Sequence, residues 1–186
     1  MFSTLKLRSV ALFSLMALLV GCSSLPTELT ATTEPVITDY QIWLDSDPEL
    51  KPTVRLGGVI ASVKNLDDKT RLEIVNMPIG SDGKPNINAE PKGRFVAYIQ
   101  GYVEPVTYAK GRMITLVGTS EMPEVGMVGD YEYTFPVMMS YGQRLWEIKE
   151  RLVVTETSSH FYSCRSLYCR SFNYGPKQGR VIQEVQ

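Results

Sequence analysis

The stretch TVRLGGVIASVKN, residues 53–65, constrains the fold more than any other part of the chain. Val54 and Leu56 alternate with polar neighbours, Gly57-Gly58 interrupts, and Val59, Ala61 and Val63 resume the alternation on the shifted phase. A period of two marks a half-buried strand. A glycine pair inside it predicts a bulge or sharp bend, the device that lets a sheet curl. Similar runs follow. TRLEIVNMP carries Leu72 and Ile74 on one side, and GRFVAYIQGYV sets Phe95, Ala97 and Ile99 opposite Val96 and Tyr98. GRMITLVGT is a fourth strand, and YEYTFPVMM a fifth with Tyr131, Tyr133, Phe135 and Val137 in phase. RLWEIKERLVV closes the series. Pro136 places the fifth strand at an edge or a bulge, because proline cannot donate to a ladder. Short strands separated by Gly, Pro and Asp predict an all-β fold. The connection NMPIGSDGKPNINAEPKG is long for a hairpin and favours a small curled, Greek-key β-barrel of the oligonucleotide/oligosaccharide-binding (OB-like) type.

Ahead of the strands, TDYQIWLDSDPEL reads as a short helical turn with Thr38 or Asp39 as cap. Ile42, Trp43 and Leu44 are its burial candidates, and Pro48 ends it. Beyond Thr155 the chain turns to Gly, Pro and polar residues, which predicts an irregular C-terminal tail.

The N-terminus begins with Lys6 and Arg8, continues as an apolar run from Val10 to Val20 broken only by Ser14, and reaches Gly21-Cys22. A positive start, a short apolar middle and a small residue at the cut form a secretory signal. The run is shorter than the ~20 residues a spanning helix needs. Leu19-Val20-Gly21-Cys22 resembles the lipobox of bacterial lipoproteins, which implies cleavage between Gly21 and Cys22 and diacylglycerol and N-acyl lipid on the Cys22 thiol and amine; the alternative is an ordinary signal with an incidental cysteine. Ser23 and Ser24, in place of an aspartate after the cysteine, imply by the same resemblance the outer membrane as destination.

Four segments are expected: signal peptide 1–21, flexible tether 22–37, β-barrel domain 38–160 and tail 161–186. The tether expectation rests on the Ser, Thr and Pro content of SSLPTELTATTEPVI. Lys6 and Arg8 leave with the signal, so 19 basic and 20 acidic residues become 17 and 20, and the net charge becomes −3. With no clustered basic face, nothing points to nucleic acid.

After Cys22 the cysteines are Cys164 and Cys169, in SCRSLYCRS. In an exported chain such a pair oxidises, and a disulfide closing so short a loop pins the tail locally. The rival is a metal site with His160, the chain's one histidine, but zinc usually takes four ligands and no fourth is evident.

The stretches VRLGGVIASVKN, TRLEIVNMPIGSDGKP, GRFVAYIQGYVEPVTYAKGRMITLVGT and YEYTFPVMM…LWEI, in this order and spacing and headed by the lipobox, resemble the Slp (starvation-inducible lipoprotein) family of outer-membrane lipoproteins over residues 22–150. The Cys164/Cys169 tail is outside the resembling pattern. The resemblance implies an envelope lipoprotein associated with stationary-phase or stress conditions, with no established biochemical activity. The reading built on it and on the lipobox is a non-enzymatic protein held in the outer membrane by its lipid, with an envelope component (peptidoglycan, lipopolysaccharide or an outer-membrane protein) as partner class. No catalytic residue comes with it.

The residues themselves favour no catalysis. Glu73 alternates with core-facing Leu72 and Ile74 and so lies on a solvated face, and Glu104 sits in a turn before Pro105. Glycoside chemistry needs two carboxylates at a defined separation. No Gly-x-Ser-x-Gly elbow is present. GSDGKP lacks the spacing of a phosphate or calcium loop. Tyr98, Tyr102, Tyr108, Tyr131, Tyr133 and Tyr141 leave one alternative, a saccharide- or peptide-binding module with an exposed aromatic barrel face.

Overall fold

A computed structural model describes residues 25–154 and 179–186. Their strands are β1 (Val36–Ile37), β2 (Thr53–Asn65), β3 (Lys69–Met77), β4 (Gly93–Gln100), β5 (Met113–Val128), β6 (Tyr131–Trp146), β7 (Ile148–Val154) and β8 (Gly179–Val185). One helical turn, α1 (Tyr40–Leu44), precedes β2. The all-β, curled-sheet class expected from the strand pattern is what the structure shows.

β2 pairs with β3, β3 with β4, β4 with β6, β6 with β5, and β5 returns to β2. Five strands therefore close a ring, antiparallel throughout except where β4 and β6 run parallel. The non-local step that makes this topology is the connection 101–112, which takes the chain from β4 across to β5, beside β2. The long 78–92 loop instead joins two neighbouring antiparallel strands, so its length marks an insertion with a different job.

Inside the ring lie Val54, Leu56, Ile60, Leu72, Ile74, Phe95, Ala97, Ile99, Ile114, Leu116 and Met138. The alternation on β3 and β4 is as read from the sequence. On β2 the phase break is displaced: Val54, Leu56 and Ile60 keep one phase through the glycine pair, and the register slips between Ile60 and Ser62. Gly57 and Gly58 serve close packing, where β2 is bonded on both sides. A Cβ on Gly58 would meet the Val75 backbone, and one on Gly57 would lie 2.6 Å from Ile79 Cγ2.

α1 is capped by Asp39, whose carboxylate accepts from Gln41 N and Ile42 N at 2.8 and 3.2 Å. It buries Tyr40 and Trp43 and leaves Ile42 and Leu44 exposed, because a single turn turns only positions i and i+3 to one side. Trp43 stacks edge-on against Phe95 at 5.8 Å and donates to Ser120 Oγ at 2.8 Å. Pro48 opens a further 3₁₀ turn, Pro48–Leu50, instead of ending the segment.

Two expectations about the ends need correcting. Residues 25–37, expected to belong to a flexible tether, are fixed at two places: a 3₁₀ turn at Thr27–Leu29 buries Leu29 completely, and β1 pairs in parallel with Thr53 and Val54, with Thr30 and residues 32–35 exposed between them. Gly142 permits this close approach, since a Cβ there would strike the Glu28 carbonyl. The end of the tail is likewise ordered, with β8 antiparallel to β7 in a separate two-stranded ribbon. Val181, Gln183 and Val185 share one side of this strand and Ile182 lies on the other.

Candidate functional site

The outer wall of β3 and β4 is the face on which a ring of this kind could take a ligand. Here it is covered by an arm of the same chain. β5 and β6 run on past the ring as residues 122–135, joined by a two-residue turn at Gly129-Asp130. The arm bends where Met122 and Pro123 together face Pro136, so Pro136 does sit at a bulge. Phe135 and Val137 are buried on Val96, with Tyr98, Val128 and Tyr133 around them.

Polar contacts lock the arm down. Arg71 reaches Glu124 Oε1 through Nε at 2.8 Å and Nη2 at 2.7 Å, and Tyr98 donates to Glu124 Oε2 at 2.7 Å. Burial, then the Glu124 carboxylate, push the Tyr98 phenol up from its ordinary value. Lys69 lies 4.3 Å above the Tyr98 ring and Arg71 5.5 Å from the Phe135 ring, both favourable cation–π placements. Tyr133 accepts from Arg94 N at 3.2 Å and meets the Tyr40 hydroxyl at 3.4 Å. Tyr40 in turn donates to Arg94 O at 2.7 Å, and burial followed by the Tyr133 contact raises its pKa.

The structure therefore uses the tyrosines singly. Tyr98 and Tyr133 hold the arm, and Tyr108 packs on the inner core. Tyr141 accepts from Thr32 N at 3.3 Å. Tyr102 is exposed and donates to Glu104 at 3.0 Å, a bond that raises its pKa. Tyr131 stands exposed beside the turn of the arm. No shared platform forms among them.

Glu73 is ion-paired with Arg94, and Glu104 accepts from Tyr102 in the 101–112 connection, so the two carboxylates are engaged separately. Among the described residues no three His, Cys, Asp or Glu side chains gather where they could hold a metal. Gly21, Cys22, His160, Cys164 and Cys169 lie outside the described residues. A cleft of about 310 Å³ beside Trp43 contains one carboxylate, Glu121, which Lys51 binds at 3.0 Å.

A second wall, on the outside of β2, β5 and the end of β6, is covered by the N-terminal segment and the 78–92 loop. Leu29, Met77, Met113 and Trp146 form its buried centre, with Leu25, Val59, Ile87 and Val185 packed around them. Thr115 Oγ1 donates to Gly83 O at 2.6 Å and accepts from Trp146 Nε1 at 3.0 Å, which ties the loop to the wall. This is the insertion's job. Arg55 adds a bond to Leu29 O at 3.2 Å, and Arg144 pairs with Glu28 at 2.9 Å. A cleft of about 520 Å³ lies between this loop and residues 183–186. The signals were present in the sequence: Leu25 and Leu29 four residues apart, and Gly-Asp between two alternating runs, the mark of a two-residue hairpin.

These features define a class, a curled all-β domain whose outer walls are covered by its own chain. The family follows from comparison with known proteins. The model of the outer membrane lipoprotein Slp family matches residues 19–177, which takes in Cys22 and also Cys164 and Cys169. The chain is 30% identical over 144 residues to the uncharacterized lipoprotein YeaY of Escherichia coli (strain K12), covering 76% of this chain and 72% of that one. It is 30% identical over 145 residues to the outer membrane protein Slp of the same strain, covering 77% of each. An uncharacterized protein of Haemophilus influenzae is 36% identical over 97 residues, 52% of each chain. No solved structure matches. The chain belongs to the outer membrane lipoprotein Slp family, and the outer membrane is its location.

Proposed function

We propose that this protein is a lipid-anchored outer-membrane component, acting through structure or interaction and not through catalysis, in the stress-associated manner that the resemblance implies. The carrying observation is the family match that begins at Leu19 and includes Gly21-Cys22. Residues 1–21 serve as the signal, and Cys22 carries diacylglycerol and N-acyl chains. More than one acyl chain is what firm anchoring requires, since a single chain holds only reversibly. In the same exported compartment Cys164 and Cys169 join in a disulfide. Peptidoglycan, lipopolysaccharide or an outer-membrane protein is the partner class. A non-catalytic role is supported by the separate engagement of Glu73 and Glu104. The saccharide- or peptide-binding alternative is weakened because the arm occupies the strand face that such a ligand would use.

The test is the mass of the protein extracted from membranes without reductant. The expected mass is that of the chain from Cys22 with its acyl groups and two hydrogens fewer, while Cys22→Ser accumulates as unlipidated precursor. Normal processing and membrane recovery of Cys22→Ser would sink the anchoring reading. Two free thiols at Cys164 and Cys169 would sink the disulfide alone.

A further inference from the structure

The packed segment at residues 25–29 determines how such an anchor could hold the domain. Only Ser23 and Ser24 separate Cys22 from Leu25. Three residue steps span at most about 10 Å even fully extended. Leu25 is itself packed on the cluster of Leu29, Met77, Met113 and Trp146. If Cys22 is lipidated, the wall carrying Leu25 must therefore lie at the bilayer surface, with no slack for the domain to stand off or turn over.

The β7–β8 ribbon grows from the same wall. β6 ends at Trp146, Glu147 exchanges two backbone hydrogen bonds with Gln186 at 2.8 Å each, and Val185 packs on the cluster that Leu25 also touches. In the antiparallel register Ile148 faces Val185, Glu150 faces Gln183 and Leu152 faces Val181, so these pairs share one side of the ribbon. That side continues the apolar surface outward from Val185. It leaves Ile148, Leu152 and Val181 at 45, 66 and 57% exposure. Its polar pair is internally satisfied, Gln183 Nε2 donating to Glu150 Oε1 at 2.8 Å. The other side carries Lys149, Arg151 and Arg180 opposite or beside Glu184, Ile182 and Val153. A two-stranded ribbon is marginal in water without a surface to cover its apolar side.

We infer that the β7–β8 ribbon is a lipid-seating element: its Ile148, Leu152 and Val181 side rests in the interfacial region of the bilayer in which the Cys22 acyl chains are anchored. The inference rests on the lipid-anchor reading. The two together fix the domain's orientation, with the Leu25 wall and the ribbon toward lipid.

The test uses the full acylated protein in vesicles of phosphatidylethanolamine and phosphatidylglycerol containing bromine-labelled phosphatidylcholine. Tryptophan is introduced in separate variants, Leu152→Trp and Val181→Trp on the apolar side, Val153→Trp on the reverse side, and Met127→Trp on the arm. All four positions are exposed, so the substitutions leave the core untouched, and buried Trp43 and Trp146 give a common background. Emission at 152 and 181 is expected to shift to the blue and to be lost to bromine quenching, with little loss at 153 or 127. Protein that floats with the vesicles but shows no quenching at 152 and 181 overturns the lipid seat while leaving the anchor intact. Equal quenching at 153 also overturns it, because a mobile ribbon has no seated side. Protein that fails to float refutes the anchor and the seat built on it together.

Discussion

Leu29→Ala tests the placement of the N-terminal segment most directly, because a flexible tether and a packed one give different numbers. Leu29 is wholly buried among Met77, Met113 and Trp146, 113 − 29 = 84 and 146 − 29 = 117 residues from the latter two. Truncating a buried leucine to alanine removes its transfer free energy and leaves a cavity, together about 2–5 kcal/mol. Two facts argue for the lower half of that range. The segment lies at one end of the described residues, outside the ring, so the global loss cannot exceed what its docking contributes. Its other ties are modest: the bond from Arg55 to Leu29 O survives the substitution, and the Arg144–Glu28 pair is exposed and screened by solvent. The expected loss is therefore about 2–3 kcal/mol. In urea, with a slope of about 1.5–2 kcal/mol/M for a domain this size, the midpoint falls by roughly 1–2 M. Unfolding followed through the combined emission of Trp43 and Trp146, the second of which adjoins the cavity, reads this directly. A change within about 0.5 kcal/mol, the scale of surface substitutions, would refute the packing and restore a free tether.

Glu124→Ala leaves Arg71 and Tyr98 without the carboxylate that both contact in a half-buried site, at an expected cost of about 1–3 kcal/mol. Amide exchange should accelerate across residues 122–135 before it does in β2 or β3; uniform acceleration would mean that the arm is not a separately pinned unit. Asp39→Ala removes the α1 cap and the 2.6 Å contact to Lys92, for about 1 kcal/mol at pH 7. The Lys92 hydrogen bond, then the backbone amides, hold the Asp39 carboxyl below its ordinary value of 3.8. A depressed folded-state pKa stabilises above the unfolded value and is lost as pH falls through the folded one. The gap between parent and Asp39→Ala should thus be constant near neutrality and close below pH 3.8, as urea midpoints across pH would report.

The ring was legible in the sequence because its strands alternate and bury one face each. Leu72 and Ile74, then Phe95, Ala97 and Ile99, declare their phase without help from the rest of the chain. What local pattern could not show was which surface answers an outward apolar residue. Val96 and Val59 point away from the ring, and each is covered by a segment distant in sequence, Phe135 on the arm and the 25–29 turn with the 78–92 loop. A Ser/Thr/Pro-rich composition reads as a tether because it lacks periodicity, yet one leucine in a 3₁₀ turn is enough to dock it. The glycine pair misled for a related reason: glycine marks close approach as well as bending, and only the β5 contact on its second side distinguishes the two.

The covered walls bear on where an interaction role could reside. The ring interior is filled, and both outer walls described above carry segments of the same chain. Among the described residues, many of the large apolar side chains left in contact with solvent fall on additions to the ring: Met122, Val125 and Met127 on the arm, and Ile148, Leu152, Val153, Val181 and Ile182 on the ribbon. The arm turns one side to the ring and presents the other, while the ribbon leaves apolar side chains exposed on both of its sides. The arm is bound to its wall by Arg71, Tyr98 and Phe135, so its outward side is held at a fixed position relative to the ring. Among the described residues the ribbon is bound at its base, by Glu147, Gln186 and Val185. The ribbon thus suits the deformable lipid surface inferred for it, which asks for apolar area near the anchor and little else.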